Sequence, residues 1–291
     1  MVLRLKPRTR SLAVADDRPD TERVPARAGA RGIGWRSIGR ILFLAAFALG
    51  FPIAADASRL DEIVARGVLR VGTTGDYRPF TALDRASGAY SGFDIDLARS
   101  LGAALGVKVE FEATSWPSLG RDFAAGAFDI AMGGVSVTLE RARQGFFSAP
   151  YLREGKTPIA RCQDVDKFQT LARIDRPEVK VIANPGGTNE RFDRAHLQAA
   201  QIVLHADNTT IFDALAGGEA DLMITDASET RFQQKLHAGV LCAIHPDRPF
   251  DFAEKAYWMA PDPALKAFVD QWLHLTIETG EFAAIYAKWF Q

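Results

Sequence analysis

Apolar positions recur along the chain in short runs that alternate between two periods. Val68 to Gly72 reads as a strand, and Ser58 to Arg66 before it as a short helix capped by Ser58, with Asp61 three residues on and Gly67 as its stop. Ile95, Ala98, Leu101 and Leu105 recur at three- and four-residue steps, which predicts an amphipathic helix over 94–105 ended by Gly106. A strand follows over 107–111, a short helix over 119–125, a strand over 128–132, and a helix start near Thr138. The rhythm then repeats. Strands are expected at 179–183, 202–204, 222–224, around Cys242 and at 255–259, with helices from Thr188, over 210–215 and over 227–236. A long helix or helix pair closes the chain between Ala264 and Trp289.

Strand–helix alternation at this spacing predicts an α/β fold of two lobes, each a mostly parallel sheet flanked by helices. The change of lobe falls near residues 151–155. The expected division is 58–153 plus 251–291 for lobe 1, with 154–250 inserted as lobe 2. Ligands in such folds bind at the carboxyl ends of strands, which here face each other across a cleft.

The first 57 residues break the pattern. Arg36 and Arg40 precede an apolar run over 41–55, and Ala55-Asp56-Ala57 follows it. A basic flank, a short apolar stretch and an A-x-A site predict a secretory signal, removed on export to the periplasm. The run falls short of the ~20 residues that span a bilayer, and Pro52 interrupts it. An uncleaved anchor is the alternative. The leader carries 10 of the 35 basic and 5 of the 36 acidic side chains, leaving 25 against 31 in the remainder. A mildly acidic protein without a dense basic stripe argues against general nucleic-acid binding.

Cys162 and Cys242 are the only cysteines, and an oxidising compartment favours a disulfide between them, with two buried thiols as the alternative. They lack close partners, and the five histidines form no ligand-spaced cluster, so neither metal nor cofactor is expected.

Three loops after strands are rich in hydrogen-bond donors: Thr73 to Tyr77, Ser136 to Arg141, and Gly186 to Glu190. Helix N-termini offer free N–H groups, and an arginine can hold a carboxylate bidentately, so an anion site is expected there. A plain turn at Gly186-Gly187 and a solvent-facing Arg141 are the alternatives. Gly-Gly-Thr lacks the lysine and spacing of a P-loop.

The stretches RVGTTGDYRPF (70–80), GFDIDLA (92–98), SVTLER (136–141), PYLREGKTP (150–158), NPGGTNE (184–190) and HPDRPFDFAEKAY (245–257) carry a resemblance over most of 58–291. The chain resembles the family 3 extracellular solute-binding proteins, amino-acid receptors of ABC importers. The last two stretches make it more similar to the enzymatic offshoot of that family, the periplasmic cyclohexadienyl dehydratases. These convert prephenate to phenylpyruvate and L-arogenate to phenylalanine.

The resemblance implies a small carboxylate ligand. It implies that Arg141 holds the ligand's carboxylate, with Thr188 and nearby N–H groups assisting, that Asp226 takes an ammonium, and that Tyr77 lines the cleft. It implies Glu190 as the general acid. Ser136 and Thr138 belong to the Arg141 loop. Lys156 is expected to neutralise a second carboxylate, with a surface lysine as the alternative. Trp116 is expected to wall the cleft, and Asp76 or Asn189 to touch a ring hydroxyl. Phe250, Phe252 and Tyr257 are expected in core or hinge packing. Dehydratase relatives can be homo-oligomers. A glutamate acting as an acid at neutral pH needs a raised pKa, and burial beside a dianion is expected to outweigh the helix N-terminus. The competing reading is a receptor that keeps its amino acid unchanged.

Overall fold

The structure, a computed structural model, describes residues 57–291. The expected leader, apart from Ala57, lies outside the described residues. Two five-stranded sheets carry the fold. In the first, Val68–Thr73 lies between Lys108–Ala113 and Ile130–Ala131, parallel to both. Trp258–Met259 adds antiparallel beside Ile130–Ala131, and Phe146–Phe147 closes the far edge. In the second, Lys180–Ala183 lies parallel between Gln201–Leu204 and Leu222–Asp226. Lys156–Arg161 and Leu241–Ala243 extend it antiparallel. Each sheet is therefore mixed: a parallel core of three strands, one strand antiparallel to it, and an edge strand paired antiparallel to that one.

The local signals act as their chemistry requires. Ser58 Oγ and Asp61 form a reciprocal capping box on the helix Arg59–Arg66, and Gly67 ends it at φ 71°. Gly280 at φ 83° separates Pro263–Glu278 from Glu281–Phe290, so the C-terminal segment is a helix pair. The expected strand 255–259 is two strands instead. Ala253–Lys255 pairs with Leu152–Glu154, where the chain passes between the sheets in both directions, and Trp258–Met259 joins the first sheet. Asp76–Tyr77, Thr81–Leu83 and Tyr90–Ser91 form a small ribbon that no periodicity announced, because each strand is two or three residues long.

Each sheet has its own apolar core. Leu69, Val71, Phe93, Leu97, Leu101 and Tyr257 pack around the first. Val181, Phe192, Leu222 and Ile224 pack on one side of the second, and Ile159, Ile182, Phe212 and Met223 on the other. Tyr257 is fully buried and Phe250 partly so, whereas Phe252 is exposed rather than packed. A disulfide joins Cys162 and Cys242. Closing so long a loop constrains the unfolded chain by ~2–4 kcal/mol. No described helix is long and apolar enough to cross a membrane.

Candidate active site

The strand Leu222–Asp226 ends in a carboxylate at the centre of the molecule. Asp226 is 2% exposed. Lys156 Nζ lies 2.8 Å from Oδ1. Lys255 Nζ and the Tyr77 hydroxyl both donate to Oδ2. Burial would push the Asp226 carboxyl up, but the two lysines outweigh it and hold it far below the usual range. The ligand ammonium expected at Asp226 therefore meets an occupied carboxylate flanked by two cations. Lys255, which the sequence reading did not place here, comes from 29 residues further along the chain.

The lysines in turn organise their surroundings. Lys156 Nζ donates to Thr188 Oγ1 at 3.0 Å and to Asn189 Oδ1 at 2.5 Å. Both acceptors sit at the start of the helix Thr188–His196. Lys255 Nζ donates to Ser136 Oγ at 2.9 Å and stands 5.2 Å from the centre of the Tyr77 ring. Lys156 is thus a buried organiser, not the alternative surface residue.

Tyr77, Trp116, Ser136 and Lys255 face Thr188, Asn189, Asn208 and Asp226 across one cavity. Its volume is about 20 Å³. That is too small for a ligand with a six-membered ring, so entry requires the cleft walls to part. Gly134 and Gly186 let the walls come this close. A Cβ on Gly134 would stand 2.5 Å from the Tyr77 ring, and one on Gly186, at φ 77°, would stand 2.7 Å from Pro117.

Arg141 lies to one side. It lines an adjoining space of about 400 Å³ with Arg121, Arg191, Trp116 and Gly186. Thr138 Oγ1 caps its helix by accepting from the Arg141 N–H, and one guanidinium nitrogen donates to Ser136 O at 2.9 Å. Burial, with help from the Arg191 charge, lowers the Arg141 pKa to about 10, so it stays cationic at neutral pH. It is 6% exposed, which replaces the solvent-facing alternative with a buried cation. Arg191 pairs with Glu140 at 2.6 Å beside it.

Glu190 does not reach the central cavity. Its carboxylate accepts from the Gly186 N–H at 2.7 Å and pairs with Arg194 at 2.8 Å. Those two contacts outweigh burial and hold its pKa below the usual glutamate range. The helix start and an arginine one turn on both favour the charged form. Two other acids have the opposite setting. Burial lifts Asp193 to about 8 and Glu229 to about 8. Asp76 is also raised, mainly by burial, and sits in the wall of a neighbouring cavity rather than this one.

Sequence reading missed Lys255, Asn208 and Asp94. Asp94 receives the Gly134 N–H and the hydroxyls of Tyr151 and Tyr257, and so fixes the loop before Ser136. Its place in GFDIDLA was visible, but its partners lie 40 or more residues away.

Known proteins place the chain in a family. The sequence profile of the bacterial extracellular solute-binding proteins, family 3, matches residues 69–291, and the chain belongs to that family. A cyclohexadienyl dehydratase of Pseudomonas aeruginosa is 51% identical over 257 residues, covering 88% of this chain and 95% of that one. A probable amino-acid ABC transporter-binding protein of Haemophilus influenzae is 26% identical, covering 86% and 97%. Among solved structures, an ancestral amino-acid-binding protein described as a precursor of cyclohexadienyl dehydratase matches with a TM-score of 0.74 at 36% identity, covering 80% of this chain and 100% of that chain. An ancestral cyclohexadienyl dehydratase matches at 51% identity with a TM-score of 0.51, covering 80% and 97%.

Proposed function

We propose that this chain is a cyclohexadienyl dehydratase of the periplasm. It acts as a carbon–oxygen lyase that turns prephenate into phenylpyruvate and L-arogenate into L-phenylalanine, with no cofactor. The observation that carries the reading is the occupied Asp226. A receptor for amino acids needs a free carboxylate for the ligand ammonium. Here Lys156 and Lys255 neutralise that carboxylate, and Arg141 adds a third buried cation nearby. Such a site favours a ligand with two carboxylates over a cationic one. The 51% identity to the Pseudomonas aeruginosa enzyme supports the same reading.

The chemistry asks little of the protein beyond grip and a proton. Loss of carbon dioxide and water restores an aromatic ring, so the drive is internal. Arg141 clamps the side-chain carboxylate, which persists through the reaction, and this mainly tightens capture. The lysines face the other end of the dianion. Protonating the leaving hydroxyl is worth ~10²–10⁴ in rate. We assign that step to Glu190. Arg194, its ion partner, has a side chain 57% exposed and is free to swing into solvent. A bound dianion beside Glu190 then raises its pKa from the ligand-free setting. Thr188, Asn189, Ser136, Tyr77 and Trp116 shape the cavity around the ring.

We assign 58–153 with 251–291 to one lobe and 154–250 to the other, with residues 1–57 as a removed leader. The competing receptor reading draws on the ion-paired Glu190, which binds a ligand's surroundings without acting on it. Phenylpyruvate absorbance on mixing the purified protein with prephenate separates the two. A bound amino acid released unchanged, with no new absorbance, would falsify the enzyme.

A further inference from the structure

The reaction proposed above takes up one proton per turnover. The bond from the ring to its carboxylate breaks and its electron pair enters the ring. The ring C–O bond breaks in turn, and the departing oxygen leaves as water only if a proton joins it. Two negative charges become one, with neutral carbon dioxide and water. Glu190, held in its charged form by Gly186 and Arg194, has to take up a proton before it can give one to the leaving oxygen. A route for that proton into the cleft is therefore needed.

We propose that Asp76 is the entry point for this proton, passing it from a solvent-facing cavity into the closed cleft. The inference rests on the dehydratase reading. Asp76 lines a cavity of about 440 Å³ on the flank of the cleft. Its neighbour Tyr77 lines the small central cavity, and Asn208 lines both. The Asn208 amide donates to the Asp76 carbonyl oxygen at 2.9 Å, which ties the two sides of the cleft together at this wall. Asp76 therefore stands between bulk water and the reaction space.

A second observation locates the path. Four buried polar atoms here have no hydrogen-bond partner among the described residues: Thr74 Oγ1, Asp76 Oδ1, Trp116 Nε1 and Asn208 Oδ1. Buried polar groups are nearly always paired, and an orphan calls for a water or a ligand group. Donors and acceptors are both present in this set. A water or hydroxyl, which donates and accepts, suits all four, and Trp116 and Asn208 reach the central cavity. Burial raises the Asp76 carboxyl. Thr74 and Trp116, approaching the carboxyl as weak hydrogen-bond donors, pull it down less. The charged groups facing it are Arg78, Arg85, Asp207, Asp213, Glu229 and His237. Arg85 pairs with Asp207, whose charge still helps to raise Asp76, and His237 hydrogen-bonds Asp213.

The test is prephenate turnover by D76N, D76A and D76E, with folding checked by circular dichroism. Expected is a ~10-fold or greater loss of kcat in D76N with KM within ~3-fold, in the range of general-acid effects. Turnover should recover in D76E, and formate should restore part of it in D76A. Folded D76N with kcat and pH profile like the parent overturns the proposal, as does a loss in D76A that formate leaves untouched. Activity absent from the parent protein as well removes the dehydratase reading and this inference together. An inactive variant beside an active parent leaves that reading standing. If D76A does not fold, the isosteric D76N decides.

Discussion

Lys156 Nζ and Asp226 Oδ1 stand 2.8 Å apart with both side chains 3% exposed, joining two adjacent antiparallel strands of the second sheet at the central cavity. Lys255, from the strand after the return crossing, bonds the other oxygen of the same carboxylate. The site's charge is thus set by a cluster whose members come from three separate parts of the chain.

Removing one partner of a buried pair leaves a charge without compensation, typically at a cost of ~3–5 kcal/mol. Lys156→Met should lower the midpoint of urea unfolding accordingly and free Asp226 to accept a ligand cation. Calorimetry with cationic and dianionic ligands would then show affinity moving toward the cation. Unchanged stability and ligand preference would contradict the account of the cluster.

Asp193 is fully buried, and neither of its oxygens has a partner among the described residues. Its folded pKa of about 8 lies above the unfolded value near ~3.9. The neutral form thus favours the folded state. That contribution is full below pH ~4 and is lost as pH rises toward 8. Asp193→Asn should therefore raise the melting temperature more at pH 8 than at pH 5. Equal shifts at both would refute the assignment.

Gly186 meets Pro117 across the cleft with no room for a Cβ. Gly186→Ala should weaken capture of prephenate by ~10-fold or more, since both the positive φ and the close approach forbid the side chain. KM and a ligand-induced change in small-angle scattering report it. Normal closure in that variant would show the contact to be dispensable.

Glu190 is held ionised by Gly186 and Arg194. Arg194→Ala removes one of these and should raise its pKa, so the high-pH limb of kcat, where the acid loses its proton, moves upward. Glu190→Gln should retain binding and lose turnover by ~10² or more. A Gln variant near the parent rate would remove Glu190 from the mechanism.

The sequence by itself determined the order and kind of the main elements, because hydrophobic period, capping residues and glycine stops act over a few neighbours. Ser58 with Asp61, Gly67, Gly106 and the 94–105 helix needed nothing else. The stretches around Arg141, Thr188 and Asp226 pointed to the cleft through resemblance. Tertiary structure alone decided what those residues face. Asp226 looks like a free acid in the chain and is a neutralised one in the fold, since Lys255 lies 29 residues away in sequence and within bonding distance in space. Glu190 differs: its partners Gly186 and Arg194 lie four residues to either side, contacts that helical spacing in the sequence already offered. Burial and charge pairing depend on distances between remote segments, and a single sequence carries periods and neighbours but not those distances.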